Sequence, residues 1–234
     1  MRICPFDQLP PELQIPEVKE YYLLLKKKQG YLALRRVLDL MIALILIFVL
    51  LPFYLITAVA IVIDSGWPVL YLQQRVGQYG TPFAIFKFRT MVQNADKLGS
   101  AVTTNGDKRI TRVGKWIRGL RLDEMPQAFN LLLGQMTLIG TRPEVQRYVE
   151  HYTPEQKAVL LLPPGMTGRA SILFRNEAKL MENAQDADQV YIEKILPRKM
   201  AENLAYLKEI GFITDFKLLI NTFSCLFRKD ELEP

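Results

Sequence analysis

The chain has little of what most catalytic and disulfide-stabilised proteins rely on. Its 234 residues include two cysteines, Cys4 and Cys225, near opposite ends, so no disulfide framework and no cysteine-rich metal site follows. His151 is the single histidine, which leaves no second imidazole for a zinc site and no histidine-based nucleophile triad elsewhere. The Gly-rich P-loop and the G-x-G-x-x-G turn are both absent. Chemistry in this chain therefore falls to carboxylates, arginine, lysine and a hard metal ion.

Apolar residues and positive charge are abundant. Half the residues are hydrophobic and the formal net charge is +6. The charge is unevenly placed: Arg75 to Arg121 holds ten Lys or Arg against two Asp, Asp96 and Asp107. Such a block suits phosphate, nucleic acid or a lipid headgroup, and a solvated surface has the same composition.

Residues 1–16 are proline-rich and irregular. Val18 to Lys28 has helical spacing, with Val18, Tyr21, Tyr22 and Leu25 on one face and three lysines after them. This fits an amphipathic helix on an anionic membrane as well as an ordinary surface helix. Leu40 to Ile63 contains no charged residue. As a straight helix it would reach ~36 Å, enough to cross the hydrocarbon core. It is too long, and starts too far in, to be a cleaved signal peptide. Pro52 interrupts it and predicts a kink or break. Either a kinked span or a re-entrant hairpin follows. The flanking positive charge, Lys26–Arg36 before and the basic block after, favours the hairpin with both ends on the cytoplasmic side.

Beyond the turn Asp64–Pro68, short alternating runs around Gly77 and Gly80 predict a β-hairpin. The pattern predicts helices over Ile110–Leu120, Pro126–Leu133 (stopped by Gly134), Asp188–Lys208 (broken near Pro197) and Phe212–Phe227. The last of these carries an apolar face suited to an interface or to a core. Leu162-Pro163-Pro164-Gly165 reads as a loop.

Three segments are candidates for chemistry. In Arg118-Gly-Leu-Arg121-Leu-Asp123-Glu124-Met-Pro126-Gln, Pro126 marks a helix start. Asp123 and Glu124 then lie where backbone N–H groups are free and the field is positive. Such carboxylates serve as nucleophile, base or Mg²⁺ ligand beside a phosphate, or simply as helix caps. In Gly140-Thr-Arg142-Pro143-Glu144, the proline holds Arg142 extended, presenting its fork to phosphate or carboxylate. In Phe86-Lys87-Phe88-Arg89, period two puts Lys87 and Arg89 on one strand face. Weaker signals are Asp186-Ala187-Asp188, which has the D-x-D form of a metal site, and Gly77-Gln-Tyr-Gly80, which has the form of an RNA clamp.

Taken in order, Arg35-Arg36-Val-Leu-Asp39, the proline-broken apolar run, Gln74-Arg75-Val-Gly77, Phe86–Met91, Asp107–Gly114, Leu122–Gln127, Gly140–Glu144, Pro164–Gly168 and Asp215-Phe-Lys217 resemble the bacterial sugar transferase family, the monotopic phosphoglycosyl transferases. The resemblance covers nearly everything after the first ~34 residues. It implies a helix-rich α/β fold: a re-entrant membrane helix broken at proline (35–64) and a compact catalytic domain with a C-terminal interfacial helix (65–234); residues 1–34 lie outside the resemblance and read as an N-terminal extension with an amphipathic helix. The last would lie on the cytoplasmic face of a bacterial inner membrane.

The activity implied is transfer of a sugar 1-phosphate from a UDP-sugar to polyprenyl (undecaprenyl) phosphate. In a ping-pong mechanism Asp123 would carry the phosphosugar, and Glu124 would bind Mg²⁺. Arg142 matches the phosphate-pairing arginine, and Lys87, Arg89, Asp107, Arg109 and Arg118 match positions near the site. The partners implied are these substrates and membrane lipids, not nucleic acid; a homo-oligomer is compatible with the sequence. Gln135 and Thr137 in Gly134–Thr137, Thr141 before Arg142, and Arg169-Ala170-Ser171 depart from the family pattern and bear on donor-sugar contacts. Two rival readings are a metal-dependent membrane glycosyltransferase using Asp186 and Asp188, and a basic membrane-anchored binding protein.

Overall fold

The computed structural model describes residues 1, 3–95, 107–181 and 186–227, with the side chains of 178, 179, 226 and 227 left aside. Asp96 and the middle of the basic block lie outside the described residues.

Two 3-10 turns, Phe6–Gln8 and Pro11–Leu13, precede helix α1, Pro16–Lys27, whose first position is a proline that needs no N–H partner there. The α1 stripe of Val18, Tyr21, Tyr22 and Leu25 is not a membrane face. It is buried in the main core with Leu9, Leu13, Leu196, Met200 and Leu207. The same apolar stripe suits either environment, and packing against the domain decides it. Lys28 folds back to donate to the Ile210 carbonyl at 2.5 Å.

Helix α2, Gln29–Ser65, is continuous through Pro52. It is the one helix among the described residues long and apolar enough to cross a membrane. Its buried positions are Leu32, Arg35, Asp39 and Ala43 near one end and Tyr54, Thr57 and Ile61 near the other. Between them Leu44, Ile45, Phe48, Val49, Leu51 and Phe53 are exposed. Both ends rest on the same domain. Arg36 donates to the Leu131 and Leu132 carbonyls at 2.6 and 2.9 Å, and Tyr54 donates to the Met125 carbonyl at 2.9 Å.

Strands β1, Leu70–Val76, and β2, Pro82–Phe88, form the expected hairpin, closed by the turn that contains Gly77 and Gly80. Tyr79 and Gly80 take positive φ in this turn, the job that the G-x-x-G spacing performs here. One face of β2 buries Phe83 and Ile85 against Met136, and Phe88 on the other face packs with Tyr54 and Ile117. Helix α3, Arg112–Gly119, is capped by Thr111 and receives Asp64, which accepts from the Val113 amide at 3.0 Å.

Helix α4, Gln127–Leu133, starts after Pro126 and ends at Gly134 in the left-handed conformation, as its sequence predicts. Asn130 on α4 is fully buried and bonds the edge of β2, accepting from the Phe86 amide and donating to the Ala84 carbonyl. This fixes α4 to β2 and so sets the distance between what precedes α4 and Lys87.

Strands β3, Thr137–Ile139, and β4, Gly165–Thr167, pair in parallel, so Gly165 opens a strand instead of closing a loop. A Cβ on Gly165 would stand 2.1 Å from the Gly140 nitrogen, so the two segments cross backbone on backbone. Short helices α5, Gln146–Val149, α6, Arg169–Leu173, α7, Glu177–Leu180, and α8, Ala187–Val190, follow. A π-turn, Tyr191–Ile195, leads into α9, Leu196–Glu209, with Pro197 in its first turn. Helix α10, Phe212–Phe227, buries Asp215 and Leu218 and exposes Phe212, Ile213, Phe216, Ile220 and Phe223.

Candidate active site

Arg121 takes a left-handed conformation and reverses the chain after α3, and Leu122–Glu124 then make one 3-10 turn before Pro126 opens α4. Asp123 and Glu124 are thus set ahead of α4, two residues further from its start than a helix beginning at Met125 would put them. They line a cavity of about 940 Å³ between the hairpin, this turn and the Arg142 segment.

The two neighbouring carboxylates have opposite surroundings. Glu124 is 20% exposed and meets two cations: Lys87 Nζ at 3.3 Å from Oε1, and Arg142, which bonds both oxygens, Nη1 to Oε2 at 3.2 Å. Burial works against its charge, but Arg142 and Lys87 outweigh that and hold the carboxyl well below the usual range. Arg142 is pushed up in turn by Glu124, and Lys87 is lowered by burial, with Glu124 opposing. No side chain among the described residues hydrogen-bonds or ion-pairs with the Asp123 carboxylate. Burial raises Asp123, the Glu124 charge adds to this, and Lys87 and Arg118 oppose. Its own backbone amide also bonds it and opposes the rise. Two adjacent carboxyls are thereby driven apart: one an anion clamped by cations, the other more basic and without a side-chain partner.

The structure brings together Asp123, Glu124, Lys87, Arg89, Arg109, Arg118 and Arg142 around this one cavity. Asp107 stands behind Arg109 instead, accepting from its guanidinium at 2.6 Å, which lowers Asp107 to about 2. Lys87 and Arg89 do not act as a pair on one strand face. The ladder ends at Phe88, and Arg89 turns to the end of α2, donating to Ser65.

The D-x-D signal is consumed by structure. Asp186 caps α8, accepting from the Asp188 and Gln189 amides, and Asp188 accepts from Tyr148 and Arg147. Among the described residues no three His, Cys, Asp or Glu gather as a metal site. A Mg²⁺ ion commonly takes one or two carboxylates and completes its shell with substrate phosphates and water. Asp123 and Glu124 fit that donor set, provided a bound diphosphate draws Lys87 and Arg142 away from Glu124.

Sequence reasoning missed the far wall. Arg75, Glu144, Tyr148, Tyr191 and Lys199 also line the cavity. Lys199 is buried between Glu144 and Glu177, 3.1 Å from each, and donates to the Tyr191 hydroxyl at 2.7 Å. Its sequence signal is a lysine at helical spacing with Leu196, Met200 and Leu204 on the buried helix face, which also carries Asn203.

The described residues thus form a helix-rich α/β domain seated on one long apolar helix, with an Asp–Glu pair in a cation-lined cavity. A sequence model of the bacterial sugar transferase family matches residues 30–229, and the chain belongs to that family. It is 37% identical over 195 residues to the UDP-N-acetylgalactosamine-undecaprenyl-phosphate N-acetylgalactosaminephosphotransferase of Aeromonas hydrophila, covering 82% of this chain and 43% of the relative. It is 32% identical over 200 residues to the UDP-glucose:undecaprenyl-phosphate glucose-1-phosphate transferase of Caulobacter vibrioides, covering 84% and 70%. To the undecaprenyl-phosphate galactose phosphotransferase of Salmonella typhimurium it is 30% identical over 213 residues, covering 84% and 41%. The chain therefore spans less than half of two of these relatives.

Proposed function

We propose that this chain transfers a sugar 1-phosphate from a UDP-sugar to undecaprenyl phosphate, through a phosphosugar carried on Asp123. The observation that carries this reading is the split between Asp123 and Glu124. Asp123 is the carboxylate without a side-chain partner and with raised basicity, and beside it Glu124 organises Lys87 and Arg142. In the first step an Asp123 oxygen attacks the phosphorus that bears the sugar. The bond to the α-phosphate breaks, and UMP leaves with its electron pair. In the second step an oxygen of undecaprenyl phosphate attacks the same phosphorus and returns the Asp123 carboxylate, giving undecaprenyl diphosphate sugar. Lys87 and Arg142 release Glu124 to take the donor phosphates, with Arg109 and Arg118 adding positive field. Asp107 orients Arg109. Glu124 is the residue that would hold Mg²⁺, which when bound would shield the phosphate charge from the attacking carboxylate.

The membrane reading follows the same residues. Arg36 reaches the C-terminal end of α4 and Tyr54 its N-terminal side, although 18 residues of straight helix would separate them by ~27 Å and α4 is only seven residues long. Both ends of α2 lie on one body while its apolar middle is exposed, which supports a re-entrant path bent near Pro52. The exposed phenylalanines of α10 support an interfacial helix beside it. The basic residues then favour the cytoplasmic face of the inner membrane.

The relatives' names carry three different sugars, so the donor is found by a panel. UMP release is measured from a set of UDP-sugars with undecaprenyl phosphate, Mg²⁺ and detergent-solubilised chain, beside Asp123→Asn. The expected result is release from one or a few donors, reduced about a thousandfold or more in the variant. Equal rates in the two proteins would remove Asp123 as the nucleophile.

A further inference from the structure

The cations around the cavity divide by what they are paired with. Lys87 and Arg142 meet Glu124, Arg109 meets Asp107, and Arg75 lies 4.0 Å from Glu144. Arg89 is different. It is 6% exposed, yet no carboxylate among the described residues lies within ion-pair distance. Its Nη2 donates to the Ser65 carbonyl at 2.7 Å, to the Ser65 hydroxyl at 2.9 Å and to the Gly66 carbonyl. Its Nε and Nη1 are buried and have no partner among the described residues. A guanidinium withdrawn from water without a counter-charge, and with donors unused, is costly to keep.

Capping the end of α2 accounts for Nη2 alone. A neutral donor would cap those carbonyls without the cost of a buried charge. Arg89 itself belongs to the cavity wall, and although Nε and Nη1 are closed to water as the side chain stands, a cation there without a counter-charge calls for an anion. The location says which one. Arg89 sits where α2 ends, and the residues just past that end, Trp67, Leu70 and Leu72, are exposed apolar side chains. They continue the apolar surface of α2 towards the cavity mouth, where Pro68 and Leu70 form part of the lining. A phosphate delivered from the membrane on an apolar chain meets this end of the cavity first. A soluble nucleotide has no use for such a rim.

We propose that Arg89 receives the phosphate of the lipid acceptor, while Lys87 and Arg142 serve the donor diphosphate. This rests on the function proposed above. Because the same guanidinium holds Ser65 and Gly66, the acceptor site is tied directly to the membrane segment.

The test uses the full chain in detergent, with Arg89→Gln and Arg89→Lys. UMP release is followed against undecaprenyl phosphate at saturating donor, and against donor at saturating acceptor. The expected result is an acceptor KM raised about tenfold or more in Arg89→Gln, less in Arg89→Lys, with the donor KM within about twofold of wild type. A raised donor KM with an unchanged acceptor KM, or a fall in kcat alone, would overturn the assignment. A second measurement compares binding of undecaprenyl phosphate with binding of undecaprenol by native mass spectrometry. Wild type is expected to prefer the phosphate, Arg89→Gln to lose most of that preference, and Arg89→Lys to keep more of it. A residue with only a structural role would weaken both lipids alike, and that outcome also overturns the proposal. Should wild type release UMP from no donor, the reaction assignment fails, and the lipid comparison still decides whether Arg89 reads a phosphate.

Discussion

Arg35 and Arg89 stand near opposite ends of the same helix and are almost equally buried, at 4% and 6% exposure. Their surroundings could hardly differ more. Arg35 spends every nitrogen: Nε and Nη2 on the Thr137 hydroxyl at 3.1 and 2.9 Å, Nη1 on the Tyr206 hydroxyl at 3.0 Å, with Asp215 3.5 Å away. Asp39 completes the network by accepting from Thr137 and from the Leu138 amide. Arg89 leaves two nitrogens without a partner among the described residues. Burial of an arginine therefore says little about its role. The completeness of its partners separates a residue that fixes the fold from one that lines a site.

The largest effect that would break this comparison is on stability. Arg35→Met strands Asp215 in the core and is expected to cost about 3–5 kcal/mol, seen as a large fall in the unfolding midpoint. Arg89→Met strands no carboxylate and is expected to cost about 1–2 kcal/mol, the loss of its bonds to Ser65 and Gly66. Equal destabilisation in denaturant unfolding would erase the distinction between the two arginines.

A smaller effect sharpens the contrast between the cavity carboxylates and the D-x-D pair. Asp186→Ala removes the cap of α8 and is expected to cost about 1 kcal/mol, with UMP release within about twofold of wild type. Loss of release in that variant, with the fold intact, would revive the metal-dependent glycosyltransferase reading.

The smallest effect is on pH dependence. Asp123 attacks as the anion, so falling pH protonates it and stops the first step. Its carboxyl is raised from 3.8 by burial and by Glu124, so the acid limb of the rate profile is expected above the ordinary aspartate value. Arg118 lowers that carboxyl. Arg118→Gln is therefore expected to move the limb further up, and a downward movement would contradict the electrostatics described here.

Much of the fold was legible because its signals are local. Pro126 and Gly134 bound α4 by their own backbone preferences, and the two glycines of the hairpin turn needed only their neighbours. The resemblance placed Asp123, Glu124, Lys87 and Arg142 in one site, and the structure brings them within reach of one another. Other readings turned on distant partners. The α1 stripe is apolar whether it meets lipid or Leu196. The D-x-D spacing is the same for a metal pair as for a cap beside an ion-paired aspartate. Arg89 reads as a strand residue until the end of α2 is seen beside it.

By itself the sequence determined one long apolar segment with a proline in it, where the helices and the hairpin begin and end, and which carboxylates and cations are available for phosphate chemistry. These follow from backbone sterics, periodicity and the chemistry of single side chains. Only the tertiary structure decided that α1 belongs to the core, that both ends of α2 rest on one domain, that Glu124 is the carboxylate clamped by cations and Asp123 the one without a side-chain partner, and that Arg89 is buried with no counter-ion among the described residues. Each of these depends on groups tens of residues apart meeting at a few ångströms, where desolvation and Coulomb attraction act and where local sequence carries no record of the partner.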